Sequence, residues 1–169
     1  MTGFPEPSPL SNRAIGEYAD LVGKHHGIYS ASGRADIDKL LALLGGRVTV
    51  SAELFDREAL TVYAPGNFEI HIPQLTSSRR DRFTIAHELG HYFLHYLHPE
   101  QTGMRTFGRG QRNWAETQAN VFASHLLMPD DAFRRAYREH DGDWWAIAQV
   151  FNVSPSAAEV RGQVLGLRS

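Results

Sequence analysis

The chain has 169 residues, 42% apolar and 21% charged, which is about one globular domain with a single core. A formal net charge of −2 offers no broad basic field to draw nucleic acid or acidic membrane, and zero cysteines exclude disulfides and thiolate metal sites. No apolar run approaches the ~20 residues that span a bilayer, and Met1-Thr2-Gly3-Phe4-Pro5-Glu6-Pro7-Ser8-Pro9 lacks the basic and apolar regions of a signal peptide, so a cytoplasmic setting is expected.

Residues 1–10 carry spaced prolines and read as an extended lead, mobile or draped on the surface, ahead of a single domain over residues 11–169. Ser11 to His26 predicts a helix with Ile15, Tyr18, Leu21 and Val22 on one side, and Ala35 to Leu44 predicts another, ended by Gly45-Gly46. Arg47 to Leu54 alternates as a strand. Leu60 to Ala64 and Phe68 to Ile72 are strands too, with Pro65-Gly66-Asn67 turning between them, which makes a small three-stranded sheet. Phe68 to Ile72 is a candidate edge against which an extended peptide could pair. Ser78 with Asp81 is a candidate capping box for a helix through Arg82 to His95.

Residues 98–112, with Gly103, Gly108, Gly110, Arg105, Arg109 and Arg112, read as a loop. Its arginines read first as a solvated surface, and in the functional alternative as a rim that meets acidic groups of a protein substrate. Asn113 to Pro129 is a further helix, because Ala119, Phe122, Ala123, Leu126 and Leu127 recur at helical spacing and Pro129 closes it. Residues 143–167 resemble a helix-turn-helix, with Ser154 as cap and Pro155 at the first helical position. A DNA reader places such a second helix in the major groove. This one offers Arg161 as its only cation, beside Glu159, while Ala157, Ala158, Val160, Val164 and Leu165 look like packing. Without cations for phosphate, direct nucleic-acid binding is not expected.

The chemistry-bearing stretch is His87-Glu88-Leu89-Gly90-His91, an HExxH pattern on the Arg82 to His95 helix. Residues four apart in a helix differ by about 40° around the axis, so His87 and His91 share a face and can share a tetrahedral metal. Glu88 projects about 100° away and sits where it can take a proton from a metal-activated water. A third ligand is needed, and the spacing of the HExxHxxGxxH class fails because position 97 is Leu97. His95 lies one turn further on the same helix, and three turns of one straight helix cannot surround a metal, so His95 reads as an outer partner of the site. His98 reads as a surface histidine. Among downstream acids Glu116 stands out: it shares a face with Asn120 on a second helix, and Asn120 can accept from the far nitrogen of a ligand imidazole. Small Ala119 and Ala123 would let the two helices approach. Glu100, in a loop, is the weaker candidate. An oxyanion donor is not identified, with Arg82, His95 and His125 unranked; Tyr92 points off the metal face.

The segment from Arg82 to His95, together with Glu116-Thr117-Gln118-Ala119-Asn120-Val121-Phe122-Ala123 and Leu126-Leu127-Met128-Pro129, resembles the ImmA/IrrE family of metallopeptidases over roughly residues 35–167. The family pattern often carries a second acid where this chain has Gln118. The resemblance implies a cytoplasmic zinc-type endopeptidase, with Mn2+ as an alternative metal, cleaving a helix-turn-helix repressor or antitoxin-like protein in a stress response. The expected fold class is α+β: a mostly helical metallopeptidase domain with the small three-stranded sheet beside the HExxH helix and the C-terminal helix-turn-helix-like pair. The expected site has Glu88 as general base, His87, His91 and Glu116 as ligands, and Asn120 and His95 behind them. The rival reading is a DNA- or protein-binding transcriptional regulator that keeps a structural or vestigial metal site.

Overall fold

Ser11 accepts a hydrogen bond from the Ala14 amide and so starts α1 (Asn12–His25), which buries Ile15, Ala19 and Val22. Asp36 caps α2 (Ile37–Leu44) through the Lys39 amide, and Gly45 ends it in the left-handed conformation, φ 83°. No other residue would fit at that C-cap, since a Cβ there would stand 2.0 Å from the Gly66 carbonyl oxygen. These elements belong to a computed structural model that describes residues 6–52, 57–108 and 113–167. The predicted strand end at residues 53–54, and Arg109, Gly110 and Arg112, lie outside the described residues.

Four strands form one mixed sheet: β1 (Gly46–Val50), β2 (Ala59–Ala64), β3 (Asn67–Ile72) and β4 (Arg105–Gly108), in the order β1-β3-β2-β4. β2 and β3 are an antiparallel hairpin with Leu60 opposite Ile70; β1 runs parallel to β3; and β4 runs antiparallel to β2 with Phe107 opposite Leu60. Two expectations are corrected here. The sheet has four strands, because Arg105 to Gly108, too short to show alternation on its own, pairs on the open edge of β2. β3 lies between β1 and β2, so it is not an edge; the terminal strands are β1 and β4. Period-2 alternation turns Leu60, Val62, Phe68, Ile70, Ile72 and Phe107 to one buried face.

That face packs on α3 (Ser78–His91), which runs on through a π-helical turn, Tyr92–Leu97, marked by the His98 amide donating to the Phe93 carbonyl at 2.9 Å. The N-cap of α3 is Ser77, which accepts from the Arg80 amide, rather than Ser78; Asp81 instead accepts from the Thr76 hydroxyl. α4 (Trp114–Leu127) crosses α3 on one side and α1 on the other. α3 and α4 approach tightly at Gly90, where an added Cβ would be 3.0 Å from both the Cα and the carbonyl oxygen of Ala119. Those are backbone atoms, and α4 is backed by α1, so it cannot retreat. Gly90→Ala therefore gains helix propensity but loses more to overpacking, typically ~1–3 kcal/mol. A lowered denaturant midpoint checks this.

α5 (Asp130–Glu139) was not anticipated in the sequence. Asp130 and Asp131 occupy its first turn, where they favour the helix dipole, and Phe133 and Ala136 enter the core. α6 (Trp144–Phe151) and α7 (Pro155–Val164) form the expected helical pair. Arg161 of α7 is 1% exposed and donates to the Met128 carbonyl at 3.0 Å; its Nη1 and Nη2 each lie 3.4 Å from a ring nitrogen of His125. The one cation of the second helix is thus inside the protein, where it cannot meet phosphate.

Burial, and then the Arg161 charge, lower the His125 pKa to about 4, against weaker opposing effects of Asp130 and Asp20. An unfolded histidine titrates near 6.5. Between those values the unfolded chain binds the extra proton, so this contribution is full above pH ~6.5 and is lost as pH falls toward about 4. His125→Gln should reduce the drop in denaturant midpoint between pH 7 and pH ~4.5; an unchanged drop would assign it to other groups.

Candidate metal centre

Two helices supply the site, and each positions its side chains by local rules. On α3, His87 and His91 are one turn apart and their rings stand 4.9 Å apart at 85°. On α4, the Asn113 side chain accepts from the Glu116 amide at 3.1 Å and so starts the helix with Glu116 in its first turn. The close approach at Gly90 brings the two faces together. Glu116 Oε2 lies 2.8 Å from His87 Nε2, and its Oε1 lies 3.3 Å from His91 Nε2. The ligand atoms of His87, Glu88 and His91 fall within 4.8 Å of one another, and Glu88 Oε1 is 4.0 Å from His87 Nε2. All three are buried, at 1–2% exposure.

The donor set fits a divalent cation. Imidazole nitrogens and a carboxylate are ligands that zinc accepts, at about 2.0–2.2 Å each. Ligand atoms of a tetrahedral ion at that radius stand about 3.3 Å apart, so the 3.3 Å pair already matches and the 2.8 Å pair needs only a small spread. Burial would raise the Glu116 carboxyl, but hydrogen bonds from His87 and His91, with their charge, outweigh it and hold Glu116 well below the usual carboxylate range. It is ionised at neutral pH and so available to a cation.

Asn120, one turn after Glu116, sits 2.7 Å from His87 Nδ1 through its Oδ1. As an acceptor it keeps a proton on Nδ1, so Nε2 is the nitrogen that can exchange its hydrogen bond to Glu116 for a cation. His95 is 2.9 Å from His91 through the two Nδ1 atoms, on the side of that ring away from Glu116. Burial pulls the His95 pKa down to about 4, against an opposing hydrogen bond to Gln118.

The remaining candidates go elsewhere. Arg82 donates to the Asn152, Ala35 and Phe151 carbonyls at 3.1, 3.1 and 3.2 Å, so it ties α3 to the C-terminus of α6. His125 lies against Arg161. Tyr92 accepts from the Gly66 amide at 2.9 Å and stacks on Phe68. Glu100 is exposed, in the turn after the π-helical segment, as is His98. Two neighbours of the site were not read from the sequence: Phe107, which stacks on the His91 ring at 5.9 Å, and Gln118, behind His95. Phe107 had no signal beyond being the one aromatic residue in a glycine- and arginine-rich loop.

Beside Asn120 a cleft of ≈ 760 Å³ opens between α3, α4 and α7; Arg79, Phe83, Thr84, Val153 and Val160 are among its lining residues. A family profile, that of the IrrE N-terminal-like domain, matches residues 47–162. Metallopeptidase ImmA of Bacillus subtilis (strain 168) is 28% identical over 162 residues, which span 92% of this chain and 88% of that protein.

Proposed function

The chain belongs to the metallopeptidase family of the IrrE N-terminal-like domain, and from that premise we propose that it is an endopeptidase in which His87, His91 and Glu116 hold zinc, or another divalent cation such as Mn2+, and Glu88 is the general base. One observation carries the ligand assignment: a carboxylate from α4 meets the Nε2 atoms of both α3 histidines at 2.8 and 3.3 Å. When bound, the cation supplies Lewis acidity for the scissile carbonyl and acidifies a water molecule. The chain's own groups do the rest. Asn120 holds the His87 tautomer. Glu88, next to His87 and 2% exposed, takes the proton of the attacking water and passes it to the leaving amine.

An extended substrate segment would pair along β4. That strand ends the sheet order, and its Phe107 touches the His91 ring. β4 thereby takes the role the sequence reading gave to Phe68 to Ile72. The substrate is a protein, and the family resemblance favours a DNA-binding repressor or an antitoxin-like partner in the cytoplasm. Among the described residues no helix is long and apolar enough to cross a membrane. Burial of Arg161 speaks against the rival DNA-binding reading. Residues 11–169 act as one catalytic unit in this proposal, supported by a single core cluster that runs from Ile15 to Ala158.

Incubation with the product of a neighbouring repressor-like gene, with and without chelator, tests the reading by mass spectrometry. Defined fragments that vanish with chelator are expected. Fragments indifferent to chelator would remove the metal from the reaction.

A further inference from the structure

Gln118 is a fully buried amide on α4, and a buried amide needs a partner for each polar atom. It finds them in the N-terminal segment and in His95. Its Nε2 donates to the Ser8 carbonyl at 2.8 Å; its Oε1 accepts from the Ser8 amide at 2.9 Å and lies 2.9 Å from His95 Nε2. The backbone of Ser8 offers one donor and one acceptor that cannot exchange roles, so it dictates which end of the Gln118 amide is oxygen. An oxygen facing His95 Nε2 makes that nitrogen the protonated one. In a neutral imidazole the other nitrogen then accepts, and His95 Nδ1 is 2.9 Å from His91 Nδ1. The proton of that contact belongs to His91. His91 Nε2, which faces Glu116, is left as the nitrogen that can give its lone pair to a cation.

We propose that Gln118 is a positioning residue for metal binding: through His95 it sets the tautomer of His91, and the Ser8 backbone holds Gln118 in the orientation that does so. The inference rests on His91 being a metal ligand. It makes the N-terminal segment a working part of the site instead of a drape over the surface. His87 has its outer acceptor directly, in Asn120. His91 has an outer partner that could equally donate or accept, and the rest of the relay removes that ambiguity.

Three substitutions in the full chain test it: Gln118→Leu, Ser8→Pro and Ser8→Ala. Two quantities are read, the ring-nitrogen tautomers of His91 and His95 by long-range 1H–15N NMR of the metal-free protein, and Zn2+ affinity by competition with a chromophoric chelator. The wild type should show a proton on His91 Nδ1 and on His95 Nε2. Gln118→Leu should lose that single pattern and bind Zn2+ about 10–100-fold more weakly, the usual cost of an outer partner. Ser8→Pro, without an amide proton, should weaken Zn2+ binding, while Ser8→Ala, with its backbone intact, should not. Wild-type tautomers and affinity in Gln118→Leu would overturn the relay, as would undiminished Zn2+ affinity in Ser8→Pro. Absence of Zn2+ binding by the wild type would instead remove the ligand reading of His91, whatever the tautomers.

Discussion

Glu88→Gln should bind its divalent cation as tightly as the wild type and yet cleave peptide about 10²–10⁴-fold more slowly, the span a positioned general base contributes. The two effects separate because of where Glu88 stands. His87 and His91 face Glu116 across the gap between α3 and α4, and Glu88 lies between them in sequence but about 100° around the helix from His87. Glutamine keeps the size and buried position of the side chain and removes its basicity. The His87–Asn120 and His91–His95 contacts do not involve it. Metal analysis by mass spectrometry beside a turnover assay reads both halves. Undiminished turnover would take the base role from Glu88; loss of the cation would make Glu88 part of the ligand set.

Glu116→Ala should abolish cleavage and also weaken Zn2+ binding, by more than the ~10–100-fold that loss of an outer partner such as Asn120 costs. Glu116 is the only described acid from a second helix to reach the imidazole pair. Its carboxylate would also supply the negative charge that offsets a divalent cation in a buried site. Removing it leaves two histidines with no third protein ligand in place. Glu100 is exposed in a turn, and His95 is engaged with the Nδ1 side of His91. Normal metal occupancy in Glu116→Ala would break the assignment. Asn120→Ala provides the graded comparison, since it keeps all three proposed ligands and frees only the His87 tautomer.

Much of the centre was legible in the sequence because its rules are local. The four-residue spacing of His87 and His91 fixes their common face on any α-helix, and the same periodicity places Asn120 one turn behind Glu116. Ser154 caps α7 as expected, and Gly45 ends α2 because only a residue free of Cβ strain suits that turn. The α6–α7 pair was legible as well, along with its packing role, since a helix with one cation has little to offer phosphate. α5 was missed although Ala132, Phe133 and Ala136 mark an apolar face, because charges on either side of them dominate the segment.

Other features have no local signature. Four residues cannot display alternation, so β4 became a strand only when β2 presented an open edge, and with it came Phe107 over His91 and the displacement of β3 to the interior of the sheet. Arg82, His125 and Tyr92 were chemically eligible from sequence; whether each faces the histidine pair or other groups depends on what packs opposite, and all three are engaged away from that pair. The contact of Ser8 with Gln118 joins residues 110 apart. Periodicity, caps and motif spacing act within a few residues, and so the chain alone determined which chemistry its helices carry. Pairing, burial and proton direction are set by groups that meet across the whole fold, and so the tertiary structure alone decided which neighbours surround that chemistry.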